Sequence, residues 1–507
     1  MSFDINKELE DTTAKSRFTQ LDQNRSSVLT RARDCSSLTL PSVLPADGHT
    51  EETTLETPYQ GLGARLVNGL ASKLLLALLP PNTNFFRLMI KEEVRDTAER
   101  TGRTQELDRA ENTLVSIEQE ALKQMEKEAL RVPSFELFKS LIITGNSLGY
   151  KTPTGLKSYK LDQYVVQRDF EGSVTEIITK EMKSKYSLPD DLLNAIEFES
   201  EEETEVAIYT RAVLREGTWY EWQEVGDTLV NNSLTNYKKE KNPYIPLRWT
   251  SINGENYGRG LVEQYLGDFR NLEALYQLTV ETAAVQARTI FGIRPGSLTD
   301  MDALNKATNG EVVSGDLEED LTVLRVEKGS DLNIPLNLIE TLTRRLEQAF
   351  LSATSAVRDS ERTTLGEIRF LASDLEESLG GVYSILSQEF QLPLANVMLN
   401  NIETQVDMEG LDLIIVTGVE ALGRNNDIEK LRQLNGLLQE LGSPERVLEK
   451  MNIDNYINDI AKNLGLPEGR YIKGQEQLQA EQQQAASQQL EQQAATNMVD
   501  NATQQQG

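Results

Sequence analysis

Two helical patterns that bracket a short broken segment constrain this chain most. Residues 261–288 carry apolar side chains at Leu261, Tyr265, Phe269, Leu272, Tyr276 and Val280, a spacing that lays them along one helix face. At about 1.5 Å per residue such a helix runs roughly 42 Å. The segment 291–335 then breaks up around Gly292, Pro295, Gly310, Gly315 and Gly329, with a small hairpin expected at 312–326. A second helix resumes over 336–350. The pair forms an out-and-back hairpin with a compact element mounted at its tip.

The flanking sequence sorts by period. Residues 7–37 read as helix, and Leu62, Leu66, Leu70, Leu74 and Leu78 repeat every fourth residue until Pro80-Pro81 stops them. Residues 92–130 predict one long amphipathic helix and 135–143 another, halted at Gly145. From 148 to 247 the texture changes to short β-branched and aromatic runs at 159–166, 174–178, 206–214 and 219–225, with turn signals at Glu171-Gly172 and Glu216-Gly217. Further on, a long helix is expected from 368 to 400, interrupted at Gly380-Gly381 and Pro393, then a strand at 411–416 and helices at 426–441 and 446–464. The tail 474–507 holds 13 Gln in 34 residues and cannot bury enough surface alone to offset its ordering entropy. The fold class is mainly α with a β-rich insert (α+β).

Charge and motifs narrow the function. Eighty acidic against 51 basic residues leave a net charge of −29, the wrong sign for a free-standing nucleic-acid-binding module. Cys35 is the only cysteine and His49 the only histidine, so no intrachain disulfide, Cys pair or His pair for a metal can form. No run approaches the ~20 apolar residues of a membrane span, and a soluble intracellular protein is expected. Gly145-Asn146-Ser147-Leu148-Gly149 matches a nucleophile-elbow pattern, but Lys151-Thr152-Pro153 follows where a helix should begin and the histidine lies upstream; a structural turn is the reading preferred. Neither Gly-Lys-Ser nor Gly-Lys-Thr occurs, so the chain lacks the P-loop pattern that cradles nucleotide phosphates. Consecutive acids such as those at 199–203 read as a solvated loop rather than a cation site. No catalytic residue, cofactor or metal is expected.

The stretches TPYQGLGARLVN at 57–68, LASKL at 70–74, YVVQRD at 164–169, YGR at 257–259, EQYLGD at 263–268, GGVYSILSQEFQLPL at 380–394 and TGVEALG at 417–423 resemble the head-to-tail connector (portal) family of short-tailed, podovirus-type phages. The likeness is collinear over about 10–430, and the last ~75 residues depart from it. It implies the phage portal fold, with a wing (1–260), first stem helix (261–288), clip (289–335), second stem helix (336–354), tunnel loop (355–366), kinked wing helix and strand (367–420), crown (421–470) and C-terminal barrel or tail (471–507).

The resemblance further implies a homo-oligomeric ring of twelve at one capsid vertex, around a channel through which double-stranded DNA passes without sequence-specific binding. Expected partners are the major capsid protein, the terminase large subunit, tail adaptor and tube proteins and internal core proteins; the expected location is the virion, after assembly in the host cytoplasm. Arg358 and Arg362 would be DNA checkpoints in the tunnel loop, or else pair with Asp359 and Glu361. Asp316, Glu318, Glu319 and Asp320 would form the docking face of the clip, and Gly380 with Gly381 the kink of the wing helix. Another phage assembly component, an internal core or scaffold protein, is the alternative.

Overall fold

A computed structural model describes, apart from short gaps, residues 12–187 and 205–286, segments between 290 and 324, residues 333–352, most of 374–401, and 411–415, together with Ile5, Glu8 and Leu9. Arg358, Arg362, Asp316, Glu318, Glu319, Asp320, Gly380, the helices expected at 426–464 and the Gln-rich tail lie outside the described residues.

In chain order the elements are α1 (Ala14–Asn24), α2 (Ser26–Ser37), α3 (Leu62–Leu78), β1 (Phe86–Ile90), α4 (Glu92–Arg100), α5 (Thr104–Lys127) and α6 (Arg131–Thr144). The insert follows as β2 (Asn146–Thr152), β3 (Gly155–Tyr159), β4 (Tyr164–Arg168), β5 (Val174–Ser184), β6 (Glu205–Arg215), β7 (Thr218–Val225), β8 (Thr228–Leu229), β9 (Thr235–Lys238) and β10 (Tyr244–Arg248). Next come α7 (Leu261–Gln264), α8 (Leu266–Gln286), β11 (Ile290–Ile293), α9 (Met301–Lys306), β12 (Leu321–Leu324) and α10 (Asn333–Ala349). Last are α11 (Val382–Leu386), a π-helical turn at Ser387–Gln391, α12 (Leu392–Asn401) and β13 (Leu411–Ile415). The chain divides into two compact units, one of residues 1–75 with 130–363, the other of 76–129 with 364–507.

In the first unit the β-rich texture becomes two antiparallel sheets, one ordered β4-β5-β6-β7-β8 with β9 also on β7, the other β10-β2-β3. Alternation decides what each face buries. Tyr164, Val166, Ile177, Ala212 and Trp219 point to the face that packs with Leu148, Tyr159 and Tyr244 of the smaller sheet. Val165, Ile178 and Tyr209 point the other way, onto Ala14, Phe18 and Leu21 of α1. The helix α6 ends where the sequence signals it: Gly145 is left-handed, with φ +77°, and the chain turns directly into β2. A Cβ there would lie 2.4 Å from the Arg259 carbonyl carbon and the Gly260 nitrogen, so only glycine fits.

Several expectations need correction. The 92–130 helix is two, broken at Gly102, which takes φ +72°. The strand run 159–166 is split by a 3₁₀ turn at Leu161–Gln163. The 7–37 helix is interrupted at Arg25, whose φ is −105°. Most of the hairpin expected at 312–326 lies outside the described residues; within it, β12 pairs with β11, Phe291 opposite Val323. In the second unit, β1 pairs with β13, Leu88 opposite Leu413, a strand the local pattern at 86–90 did not announce.

Candidate functional site

The helix pair that dominates the sequence is present. Phe269 and Leu272 of α8 are buried, as are Ile339, Leu342 and Leu346 of α10 and the following Phe350. Phe350 packs edge-on to Phe269, ring centroids 5.8 Å apart, and lies 6.1 Å from Tyr265. Arg345 pairs with Asp268 at 3.0 Å. Pro335 is in the first turn of α10, where a missing N–H costs no helical hydrogen bond. Between the helices, β11 and β12 supply the compact element.

The base of the hairpin is tied to the block at 57–68. The Glu273 carboxylate accepts the Tyr59 N–H at 2.8 Å and the Gln60 N–H at 3.2 Å, placing negative charge just ahead of α3. Gln60 is buried and accepts the Gly63 N–H through its side-chain oxygen at 2.8 Å, which closes the first turn of that helix. At the far end Leu351 is left-handed, with φ +57°, and its carbonyl accepts from the Lys73 ammonium at 2.5 Å. That contact fixes the direction in which the chain leaves α10. Toward their other ends the two helices are not fully covered: Leu278, Val280, Ile334, Leu336 and Leu338 are 51, 52, 75, 49 and 46% exposed.

The insert carries a second constellation, invisible to local patterning. Glu176 on β5 accepts from Arg17 of α1 at 3.0 Å and from Arg211 of β6 at 2.8 Å. Arg211 also donates to the Thr12 carbonyl at 3.0 Å and stacks 5.3 Å from Trp222. Glu224 is fully buried, accepting from the Trp222 indole at 2.6 Å and from the Ala14 N–H at 2.7 Å, at the start of α1. Glu176 and Arg211 are ion-paired and Glu224 is hydrogen-bonded, as burial of such groups demands.

Two carboxyls in the sheets titrate in opposite directions. Burial raises the Glu221 carboxyl above the ordinary range, with hydrogen bonds from Tyr237 and Tyr244 only partly offsetting it. For Glu181 burial pushes up too, but hydrogen bonds from Lys157 and Tyr159 and the charges of Lys157 and Lys183 outweigh it and leave the carboxyl lowered. Both are wall components of a sheet rather than members of a cleft.

Ser147 is not a nucleophile elbow. It sits within β2 opposite Leu247, fully buried, and no substrate reaches a hydroxyl there. Gly381 is described: it caps α11 with φ −64°, ordinary helical backbone. Near it, Tyr383 donates to the Ala77 carbonyl at 3.3 Å and Gln391, in the π turn, to the Leu78 carbonyl at 2.6 Å. These capture the last turn of α3, where carbonyls lack helical partners.

A family model described as bacteriophage head to tail connecting protein matches residues 11–472. The portal protein of Enterobacteria phage T3 is 36% identical over 490 residues, covering 94% of this chain and 91% of that one. The portal protein of Escherichia phage T7 is 37% identical over 436 residues, 83% of this chain and 81% of that one. A solved virion of a native gene transfer agent particle is similar at a TM-score of 0.37 and 11% identity, over 76% of this chain and 89% of that chain. The match to the connector model spans almost all of a chain whose helical hairpin, tied at its base to the 57–68 block, was its first legible feature, and the chain belongs to the bacteriophage head to tail connecting protein family.

Proposed function

We propose that twelve copies of this chain close into a ring at one vertex of a phage capsid, and that double-stranded DNA enters and leaves through the ring's channel. The observation that carries the reading is the similarity to portal proteins along nearly the whole chain. The half-exposed apolar side chains of α8 and α10 support it, because a neighbouring copy would cover them. The protein is a structural component rather than an enzyme, in keeping with the portal proteins it matches.

In this reading the hairpin is the stem and 289–335 the clip, whose Asp316, Glu318, Glu319 and Asp320 dock first the terminase and later the tail proteins. The wing faces the major capsid protein, and the crown and Gln-rich tail face the internal core proteins. A ring multiplies the charge of −29 per subunit around a polymer with one negative charge per ~1.7 Å. Repulsion, screened beyond about 8 Å at physiological salt, keeps DNA sliding rather than adhering. Arg358 and Arg362 are the exceptions, gripping DNA when transport pauses, and Gly380 with Gly381 marks the kink of the wing helix.

Negative-stain imaging of the purified protein tests the ring: closed rings with an axial hole are expected, and monomers or solid clusters contradict it. For the checkpoint, Arg362→Glu rings are expected to package DNA but leak it, and unchanged retention eliminates the role. For the clip, neutralising the four acids is expected to leave rings intact and abolish terminase binding.

A further inference from the structure

Asparagine precedes glycine at 68–69, 253–254, 309–310 and 435–436. The last two pairs lie outside the described residues, and the first two sit in opposite backbone settings. The pairing matters chemically because a glycine nitrogen, unshielded by a side chain, can reach the side-chain amide carbon of the asparagine before it. What holds that nitrogen decides whether it does.

Asn68-Gly69 lies inside α3. Gly69 is exposed, but its N–H belongs to the helical ladder, so water reaches the residue while the backbone stays locked. Asn253-Gly254 lies at the tip of the loop between β10 and α7. There the Glu255 N–H donates to the Ile252 carbonyl at 3.1 Å and Gly254 takes φ +82°, the pattern of a type II turn with asparagine and glycine at its centre.

Residues 251–254 are all exposed. Among the described residues neither the Asn253 side-chain amide nor the Gly254 N–H makes a hydrogen bond, and the space beside the Gly254 Cα is open. The feet of the loop are firmly held by contrast. The Arg259 N–H donates to the Thr250 carbonyl at 2.9 Å. Asn256 accepts the Arg168 N–H through its side-chain oxygen at 2.9 Å and the Arg168 Nε through its carbonyl at 3.1 Å. The tip alone is left to open, through the loss of a single hydrogen bond. It borders a cleft of about 520 Å³ that runs between this loop and the β4–β5 turn.

We propose that Asn253 is a site of spontaneous covalent modification, deamidating through a cyclic imide while Asn68 is protected. The Gly254 nitrogen gives up its proton to hydroxide or water and bonds to the Asn253 Cγ. The Cγ–Nδ2 bond breaks, and the amide nitrogen takes up a proton and leaves as ammonia. Water then opens the ring. Cleavage between the nitrogen and Cγ yields aspartate on an ordinary backbone; cleavage between the nitrogen and the backbone carbonyl yields isoaspartate, whose main chain runs through Cγ. In net terms an amide and a water become a carboxylic acid and an ammonia, with nothing oxidised or reduced.

Either product adds a negative charge at the rim of the cleft. Isoaspartate also lengthens the main chain between Ile252 and Asn256, and so disturbs the clamp that Asn256 makes on β4. The site is intrinsic to the subunit and does not depend on the ring.

The test incubates the purified full chain at neutral and mildly alkaline pH, then maps its peptides by mass and detects isoaspartate by enzymatic methylation. The peptide holding 253–254 is expected to gain the mass of an amide-to-acid exchange roughly tenfold or more faster than the peptide holding 68–69, whose reaction waits for the helix to open. The rate at Asn253 is expected to rise with pH, because the attacking nitrogen must lose its proton. In urea-unfolded chain the two rates are expected to converge, since the fold no longer separates them. Aged protein is expected to exchange its Arg168 amide hydrogen faster than the Asn253→Asp variant, which carries the charge without the lengthened main chain. No mass gain at 253–254, equal rates at the two pairs in the folded protein, or a gap that survives unfolding each overturns the site. Unchanged Arg168 exchange in protein that has formed isoaspartate overturns its effect on the clamp.

Discussion

Trp222 and Glu224 in the insert are wrapped completely by their own chain, while Ile334, five residues before Ile339, the first buried side chain of α10, stands 75% in solvent. The buried carboxyls of Glu176 and Glu224 in the insert find their partners within the chain, Glu224 accepting the first N–H of α1. The hairpin differs: its base is sealed by Phe269, Leu346 and Phe350, while Leu278, Val280, Ile334, Leu336 and Leu338 in its outer half stay about half exposed or more among the described residues. The difference teaches that the insert's burial comes from its own chain, whereas the outer hairpin keeps apolar surface that a neighbouring copy in the proposed ring would cover.

The largest effect expected is in the insert. Glu176→Ala leaves the buried Arg211 with only the longer contact to Glu8 at 3.6 Å and strips Arg17 of its ion-pair partner; it is expected to cost about 3 kcal/mol, read as a lowered denaturation midpoint of the subunit. A loss under ~1 kcal/mol, the range of surface pairs, would break the contrast. Next, Gly145→Ala forces a side chain into left-handed backbone against the 259–260 peptide, with an expected cost of about 2–3 kcal/mol in the same measurement.

Glu221 sharpens the comparison through pH. Its folded carboxyl is raised, so the stability it contributes is fully present below the unfolded carboxylate value and is lost as pH rises through the folded value. Glu181, lowered, has the opposite sign: its contribution is present above the unfolded value and is lost as pH falls through the folded one. Glu221→Gln is therefore expected to flatten the decline in melting temperature from acid toward neutral pH, and an unchanged pH profile would refute this. The smallest stability effect belongs to the hairpin. Leu278→Ser with Ile334→Ser is expected to shift subunit stability by less than about 0.5 kcal/mol per site while sharply reducing ring yield; rings at full yield would show that this surface is not covered by a neighbour.

What could be read from the chain beforehand follows from the range of the interactions. The stripe Leu66, Leu70, Leu74 and Leu78 is local and is buried as its period requires. The strands of the insert were recognisable because β-branched and aromatic residues alternate within each run. The strand at 86–90 was not, because its partner lies at 411–415. The pairing of β12 with β11 was not legible for the same reason, since Phe291 and Val323 are brought opposite each other only by the fold. The charge network escaped altogether, since Arg17 and Glu176 are 159 positions apart and only the folded sheet brings them together. The connector resemblance spoke to the family at once, and yet its blocks at 164–169 and 257–259 gave no hint that they flank one arginine-lined groove.

Native mass measurement combined with imaging of the purified protein tests the central claim most directly. The account expects a closed ring of twelve subunits with an axial hole wide enough for duplex DNA. A monomer that stays monomeric at high concentration, or an assembly without a central opening, would contradict it.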